Sequence, residues 1–404
     1  MLERLYVLIQ LNGEWVPCGL LEYSERGRLS EGAFRYGEKY LEREDAISID
    51  PVHLPLKDKS FNTEEGFSIF NGVRDAGPDK WGRYLLDKKF ARTLSEIEYI
   101  AASGDDRVGA LAFTDNIELG PRQYEPGGQF ANIRSAKRLN LNQSMGAIDD
   151  ILAKEESERL KKYLEYGPSL GGARPKATVV WADDLYLAKF STSLDSRNEP
   201  LIEYATMTLA KRCGLNVPHI ALQKASGRDV FLIKRFDRVE GKRLPFVSGL
   251  TMTGLHESDF GKWSYFLLAE GILNFSTNPG EDLKELFRRL VFNIAVYNND
   301  DHLRNFGFLG DKDKWNLSPL YDVVPAAIHT STYALAMTLG REGKKASYSN
   351  AISMCNRFRL NESQAKQIVD EVRTVVASWR DHFKDLGVTS AEIASLENSF
   401  LEKT

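Results

Sequence analysis

Cysteine is scarce in this 404-residue chain: Cys18, Cys213 and Cys355 are far apart and odd in number. They form neither a disulfide framework nor a metal-spaced pair, which suits a reducing compartment. Net charge is nearly absent too, −4 from 53 Lys and Arg against 57 Asp and Glu. So even a balance gives no general pull toward nucleic acid or an anionic membrane. No apolar run reaches the length of a bilayer span. The opening MLERLYVLIQLNGEW has a short apolar stretch broken by Gln10 and Asn12, which reads as a strand and not as a signal peptide. A cytoplasmic enzyme or binding protein with no membrane partner is the expectation. Internal repeats and low-complexity segments are also missing. Present instead are 42% hydrophobic residues and a length that calls for two or three subdomains.

Strand signals dominate the first part. LYVLIQLNGEWVPCGLL centres on Asn12-Gly13, a two-residue hairpin turn between apolar runs. GPDKWGRYLLDKKFA opens with Pro78 and carries Trp81, Tyr84, Leu85 and Phe90 near helical spacing, and RVGALAFTD resembles a further strand. Residues from Asn116 to about Asn142 read as a connector, followed by a polar helix from about Met145 to Tyr163. ATVVWADDLYLAKF offers two strands around Ala182–Asp184, EYATMTLAKRCGL a helix closed by Gly214, and DVFLIKRFDR another strand. Beyond about Leu250 the period turns helical. Leu283, Leu286, Phe287, Leu290, Val291 and Ile294 mark one buried stripe, and Ile368, Val372, Val375, Val376, Trp379 and Phe383 another. A strand-rich middle before a helical half suggests two lobes and a cleft.

The stretch YNNDDHLRNFGFL packs Asn298, Asn299, Asp300, Asp301, His302, Arg304 and Asn305 into eight positions after an apolar helical run. Asp300 and Asn305 stand five apart. In protein kinases that spacing lets an Asp take the substrate hydroxyl's proton while the Asn ligates Mg2+. Seventeen residues on, LSPLYDVVP sets Asp322 between apolar runs. A carboxylate near the interior is costly unless paired or metal-bound. With Asn305 it would give Mg2+ hard oxygen ligands, and nucleotide phosphates would complete the shell. Loop capping is the plainer use for such side chains, and His302 alone could be a satisfied core histidine. Upstream features favour the chemical use. GPSLGGARPKA is rich in small residues, so backbone N–H groups could approach phosphate oxygens, although it does not fit a Walker loop. Lys189 ends LYLAKF, where its ammonium could meet the α and β phosphates, and Glu203 in the next helix could pair with it. Loop, strand Lys, helix Glu, strand, helical half, D-x-x-x-x-N and second Asp come in the order of a bilobal kinase.

LSEGAFRYGEKYLE, GVRDAGPDKWGRYLLD, SLGGARPKA, LAKF, GLNVPH, KRFDR, NNDDHLRNFGFL and PLYDVVPA together resemble, over nearly the whole chain, the HipA family of serine/threonine kinase toxins from bacterial type II toxin–antitoxin modules. The resemblance implies an α+β, bilobal, protein-kinase-like fold. Its parts would be an N-terminal α+β subdomain over 1–115, a connector over 116–145, a strand-rich N-lobe over 146–250 and an all-helical C-lobe over 251–404. It implies Asp300 as catalytic base, Asn305 and Asp322 as Mg2+ ligands, and Lys189 on the phosphates of ATP with Glu203 as its pair. Gly171, Gly172, Ala173, Arg174 and Lys176 would form the phosphate loop, and Lys234, Arg235 and Phe236 the hinge whose backbone reads adenine. His302 and Tyr321 would join them at the ATP site. Ser169 would be an autophosphorylated serine whose modification silences the kinase. The implied partners are a helix-turn-helix antitoxin (HipB-like), DNA only through that antitoxin, and a protein substrate such as an aminoacyl-tRNA synthetase of the translation machinery. Lys234 and Asp301 depart from what relatives often carry there.

Three alternatives stay open at this level. One is a catalytically idle kinase fold acting as co-repressor. A second is a small-molecule or lipid kinase. The third is a metal-dependent hydrolase using Asp300, Asp301, His302 and Asp322.

Overall fold

The computed structural model describes residues 2–26, 29–133, 140–155, 157, 163, 174–192, 195–312, 314–326 and 333–401. Strands β1 (Arg4–Leu11) and β2 (Glu14–Arg26) form the hairpin expected at Asn12-Gly13, where both residues take positive φ, 52° and 94°. That backbone matches the right-handed twist of the flanking strands. With β3 (Leu29–Tyr36), β4 (Ser60–Asn62) and β5 (Leu111–Thr114) they make an antiparallel sheet in the order β4-β3-β2-β1-β5. Gly19 lets Phe34 of β3 lie flat on β2, since a Cβ there would meet the Phe34 ring at 2.4 Å. Between β4 and β5 run the helices Asn71–Asp75, Lys80–Phe90 and Glu96–Ala102. Asp79, not Pro78, caps the second of these, accepting from the Gly82 N–H at 2.9 Å.

Residues 116–145, expected as a connector, contain the hairpin of β6 (Arg122–Glu125) and β7 (Gln129–Asn132) and the start of a helix, Leu141–Ala153. The hairpin escapes pattern reading because its strands are four residues long and its turn glycines, 127 and 128, look like linker composition. A second antiparallel sheet follows, of β8 (Lys176–Trp181), β9 (Asp184–Phe190), β10 (Ile220–Ala225) and β11 (Arg228–Lys234), ordered β10-β11-β9-β8. Ala182 and Asp183 turn β8 into β9 with positive φ, which sets Lys176 directly opposite Lys189. The helix Glu199–Arg212, capped by Asn198 and ended by left-handed Gly214, packs on this sheet. Trp81 and Leu85 of Lys80–Phe90 share its core with Met145, Ile148, Phe190 and Val230. The N-terminal module is therefore packed into the strand-rich lobe.

The C-terminal half is largely helical. All six stripe residues of Pro279–Ala295, from Leu283 to Ile294, are fully buried. Side chains of this kind contribute roughly 1.5–3 kcal/mol each, so the stripe supplies on the order of 10 kcal/mol before entropy. The second stripe is split: Glu362–Val376 ends, Ser378 intervenes, and Trp379–Asp385 carries Trp379 and Phe383 onto Phe400. The half is not all helical as expected. Strands β14 (Phe246–Ser248), β15 (Gly307–Asp311) and β16 (Lys314–Leu317), following the two-residue strands β12 (Arg238–Val239) and β13 (Lys242–Arg243), form a three-stranded sheet under the polar stretch. These strands are two to five residues long, so no long alternation announces them. No helix among the described residues is long and apolar enough to cross a membrane.

Candidate active site

Three elements bring the lysine cluster together. The Lys189 ammonium, on β9, lies 2.6 Å from Glu203 Oε1 and 2.6 Å from Asp322 Oδ1. Burial opposes the ammonium, but the two carboxylates outweigh that and hold its pKa above the usual lysine value. Lys189 in turn pulls the Asp322 carboxyl down to about 2, against burial. Burial pushes Glu203 up, with Lys189 opposing. Asp322 takes a left-handed backbone, φ 60°, a strained conformation for a non-glycine residue. It persists because its flanks are tied down. Leu320 N–H donates to Asn216 O at 2.8 Å, the Tyr321 hydroxyl to Arg304 O at 2.9 Å, and Ala326 N–H to Tyr297 O at 3.1 Å.

The polar stretch begins where Pro279–Ala295 stops. Tyr297 turns left-handed, φ 45°, and the Asn298 N–H reaches back to Asn293 O at 2.9 Å, a helix-ending motif. Asp300 then projects outward with its side chain 79% exposed, 3.8 Å from His302 Nε2. Partial desolvation lifts its carboxyl above the usual range; His302 opposes this and Asp322 adds to it. Asp300 and Asp322 therefore feel each other's charge. Asn305 closes a short turn, Leu303–Asn305, and its Nδ2 donates to the Asp300 carbonyl at 2.8 Å. Its Oδ1 has no hydrogen bond among the described residues. A free amide oxygen and an ionised, 40% exposed Asp322 carboxylate are hard donors that fit Mg2+. Among the described residues no cluster of three or more His, Cys, Asp or Glu could cage a metal unaided. Mg2+ sites completed by substrate phosphates are built that way.

Asp301 goes elsewhere. It is 1% exposed and accepts from the Tyr265 hydroxyl and the Ala336 N–H, both at 2.6 Å; burial lifts its carboxyl to about 7. A four-residue metal set with Asp300, His302 and Asp322 thus loses a member. Of the other expected residues, Ser169, Gly171, Gly172 and Ala173 lie outside the described residues. Arg174 pairs with Asp195 at 3.0 Å and Glu199 at 3.4 Å. Lys234, the last residue of β11, pairs with Asp184, the first of β9. Arg235 is buried on Asp237 and on the carbonyls of Asp106 and Arg107, and its N–H donates to Leu185 O at 2.8 Å, so among the described residues only its carbonyl is left for a ligand. The Phe236 N–H has no partner among the described residues, and the Phe236 ring lies 5.7 Å from that of Tyr321. His302 Nδ1 is buried without a hydrogen bond among the described residues.

Sequence reasoning missed the acidic partners of two residues at the same place, Asp75 and Glu257 on Arg304 and Asp79 on Lys176. Arg304, between Asp300 and Asn305, pairs with Glu257 at 2.7 Å and with buried Asp75 at 3.2 Å. Lys176, 3% exposed, faces Asp79 at 3.6 Å. Both aspartates lie in GVRDAGPDKWGRYLLD, but nothing in that segment names a partner so distant in sequence.

Comparison with known proteins adds to this geometry. The model of the HipA-like C-terminal domain matches residues 168–379, and that of the HipA N-terminal domain matches residues 9–114. "Putative kinase Y4mE" of Sinorhizobium fredii is 24% identical over 425 residues, covering 95% of each chain. A "Putative kinase" of Haemophilus influenzae is 27% identical over 218 residues, 47% of this chain and 64% of that protein, just under two thirds of its length. Among solved structures, the Shewanella oneidensis toxin–antitoxin complex of HipA, HipB and operator DNA contains a chain that matches with a TM-score of 0.67. That match covers 98% of this chain and 94% of the other at 16% identity, a likeness of fold.

Proposed function

The chain belongs to the HipA family, and from that premise we propose that it is a Mg-ATP-dependent serine/threonine protein kinase, the toxin of a HipBA-like toxin–antitoxin pair. One observation carries the reading: the Lys189 ammonium bridges Glu203 and Asp322 at 2.6 Å each, beside a turn that presents Asp300. In this reading adenine meets the strand end Lys234–Phe236, where the Phe236 N–H is free to donate. Lys189, with Lys176 opposite it, offsets the charge of the phosphates. A serine or threonine oxygen attacks the γ-phosphorus, the bond to the bridging oxygen breaks, and ADP leaves with that electron pair. The hydroxyl proton passes to Asp300, whose raised pKa makes it a better base. Mg2+, held by Asn305 and Asp322, would neutralise charge on the β and γ phosphates. Catalysis is then chiefly positioning and electrostatics.

Phosphate on Ser169 would compete for the backbone donors of the Gly171–Lys176 loop, which supports self-inactivation. A HipB-like helix-turn-helix antitoxin is the proposed partner, because the matched Shewanella HipA was solved with HipB and operator DNA. Contact with DNA would run through that antitoxin. The protein substrate is proposed to be a translation component of the aminoacyl-tRNA synthetase kind.

The test is γ-labelled ATP added to host lysate with wild type or Asp300→Ala. Wild type is expected to label protein, and Asp300→Ala to label none at an unchanged melting temperature. Equal labelling by the variant rejects the assignment. A co-repressor without activity predicts no ATP consumption, and a small-molecule kinase predicts consumption without labelled protein.

A further inference from the structure

Among the contacts that the N-terminal module makes with the rest of the chain, two are carboxylates of one short segment that meet basic residues beside the site. Asp75 ends the helix Asn71–Asp75 with its side chain 2% exposed. Its Oδ2 accepts from the Ser248 N–H at 2.6 Å and the Thr251 hydroxyl at 2.5 Å, and its Oδ1 lies 3.2 Å from Arg304 Nη1. Arg304 is thereby held from below. Its Nε donates to Glu257 at 2.7 Å, which also takes Arg74 at 2.8 Å, while its carbonyl receives the Tyr321 hydroxyl. Four residues after Asp75, Asp79 caps Lys80–Phe90 through Oδ1 alone. Among the described residues its Oδ2 is buried without a hydrogen bond and faces Lys176 Nζ at 3.6 Å.

Capping a helix needs one oxygen, and a surface aspartate would serve. Burying the second oxygen against a lysine of the other lobe is costly unless that pairing is used. Lys176 stands across from Lys189 in the β8–β9 register, and the charges of Asp322 and Glu203 reach it. One segment thus presses on the strand that leaves the phosphate loop and on the turn that presents Asp300. Trp81 and Leu85, just beyond it, anchor the segment in the core of the strand-rich lobe.

We propose that the segment Asn71–Gly82 is a two-point clamp on the kinase: Asp79 positions Lys176 for the nucleotide phosphates, and Asp75 positions the Asp300 turn through Arg304. This rests on the kinase reading. Neither aspartate touches the reacting atoms; each acts through a basic residue, so their effects separate. Asp79 bears on nucleotide affinity and Asp75 on the rate of transfer.

The test uses the full chain, with Mg-ATP binding read by calorimetry and γ-label transfer in host lysate read at saturating ATP. Asp79→Asn keeps an equally good cap and should weaken ATP binding at least about fivefold while the saturated rate stays within about threefold. In a Lys176→Gln background the same change should add nothing. Asp75→Asn should leave ATP binding within about twofold and slow saturated transfer at least about tenfold. If Asp75→Asn does not fold, Arg304→Lys reads the same contact, with the same expected slowing. Variants that leave both quantities unchanged, or lower both equally, overturn the clamp. A wild type that binds no ATP rejects the kinase reading itself, which is a different result.

Discussion

Glu203→Gln isolates the anchorage of the cleft lysine. The substitution removes a charge 2.6 Å from Lys189 Nζ but keeps the side chain's shape and an acceptor oxygen. Glu203 is 6% exposed. Stranding one charge of such a buried pair typically costs about 3–5 kcal/mol. Here Lys189 keeps Asp322 at 2.6 Å, and the variant is spared the desolvation of Glu203. A net loss of about 1–2 kcal/mol in stability follows from offsetting those terms. The functional loss should be larger. Asp322 has a second task in the proposed chemistry, whereas Glu203 has only the lysine to hold. Losing one preorganised electrostatic contact of that kind is worth roughly 3 kcal/mol, or about a hundredfold in rate. Urea unfolding and label transfer at saturating ATP measure the two quantities side by side. A wild-type transfer rate in Glu203→Gln would refute the reasoning, as would a rate loss explained entirely by the unfolded fraction.

Asp301, buried and raised to about 7, stabilises the fold fully only below the unfolded carboxylate value near pH 4, and that contribution is lost as pH rises through 7. Wild type should therefore lose stability between pH 4 and 7 that Asp301→Asn keeps; parallel denaturant curves across that range would contradict it. Asp322 runs the other way: depressed to about 2 by Lys189, it stabilises above about pH 4 and ceases to as pH falls toward 2. Lys189→Met should flatten acid unfolding in that window, and an unchanged acid limb would count against the pairing. Ser169→Ala should keep transferring label after long incubation with ATP, while wild type falls silent; mass spectrometry finding phosphate elsewhere and none on Ser169 of wild type would reject the self-inactivation.

Where a signal was local, the letters carried it. Asn12-Gly13 and the Ala182–Asp184 turn appear where turn chemistry puts them, because positive φ is decided by a residue and its neighbours. The Leu283–Ile294 stripe is buried in full, since period 3.6 is a property of one helix. The β6–β7 and β15–β16 hairpins, each four or five residues a strand, are too short for periodicity to separate from loop. Trp379 and Phe383 continue the stripe of Glu362–Val376 in the letters, although the backbone breaks at Ser378.

The site divides along the same line. Asp300, Asn305, Asp322, Lys189 and Glu203 stood out by type, order and spacing, which the chain determines by itself. That Asp301 turns inward to Tyr265 and Ala336 while its neighbour Asp300 faces solvent was decided by the helix end at Tyr297 and by what packs beneath it. That Asp75 and Asp79 reach Arg304 and Lys176, 229 and 97 positions away, was decided by tertiary packing alone. A buried charge takes whatever partner the fold brings within a few ångströms, and Coulomb attraction depends on that distance and the surrounding medium, with no memory of separation along the chain.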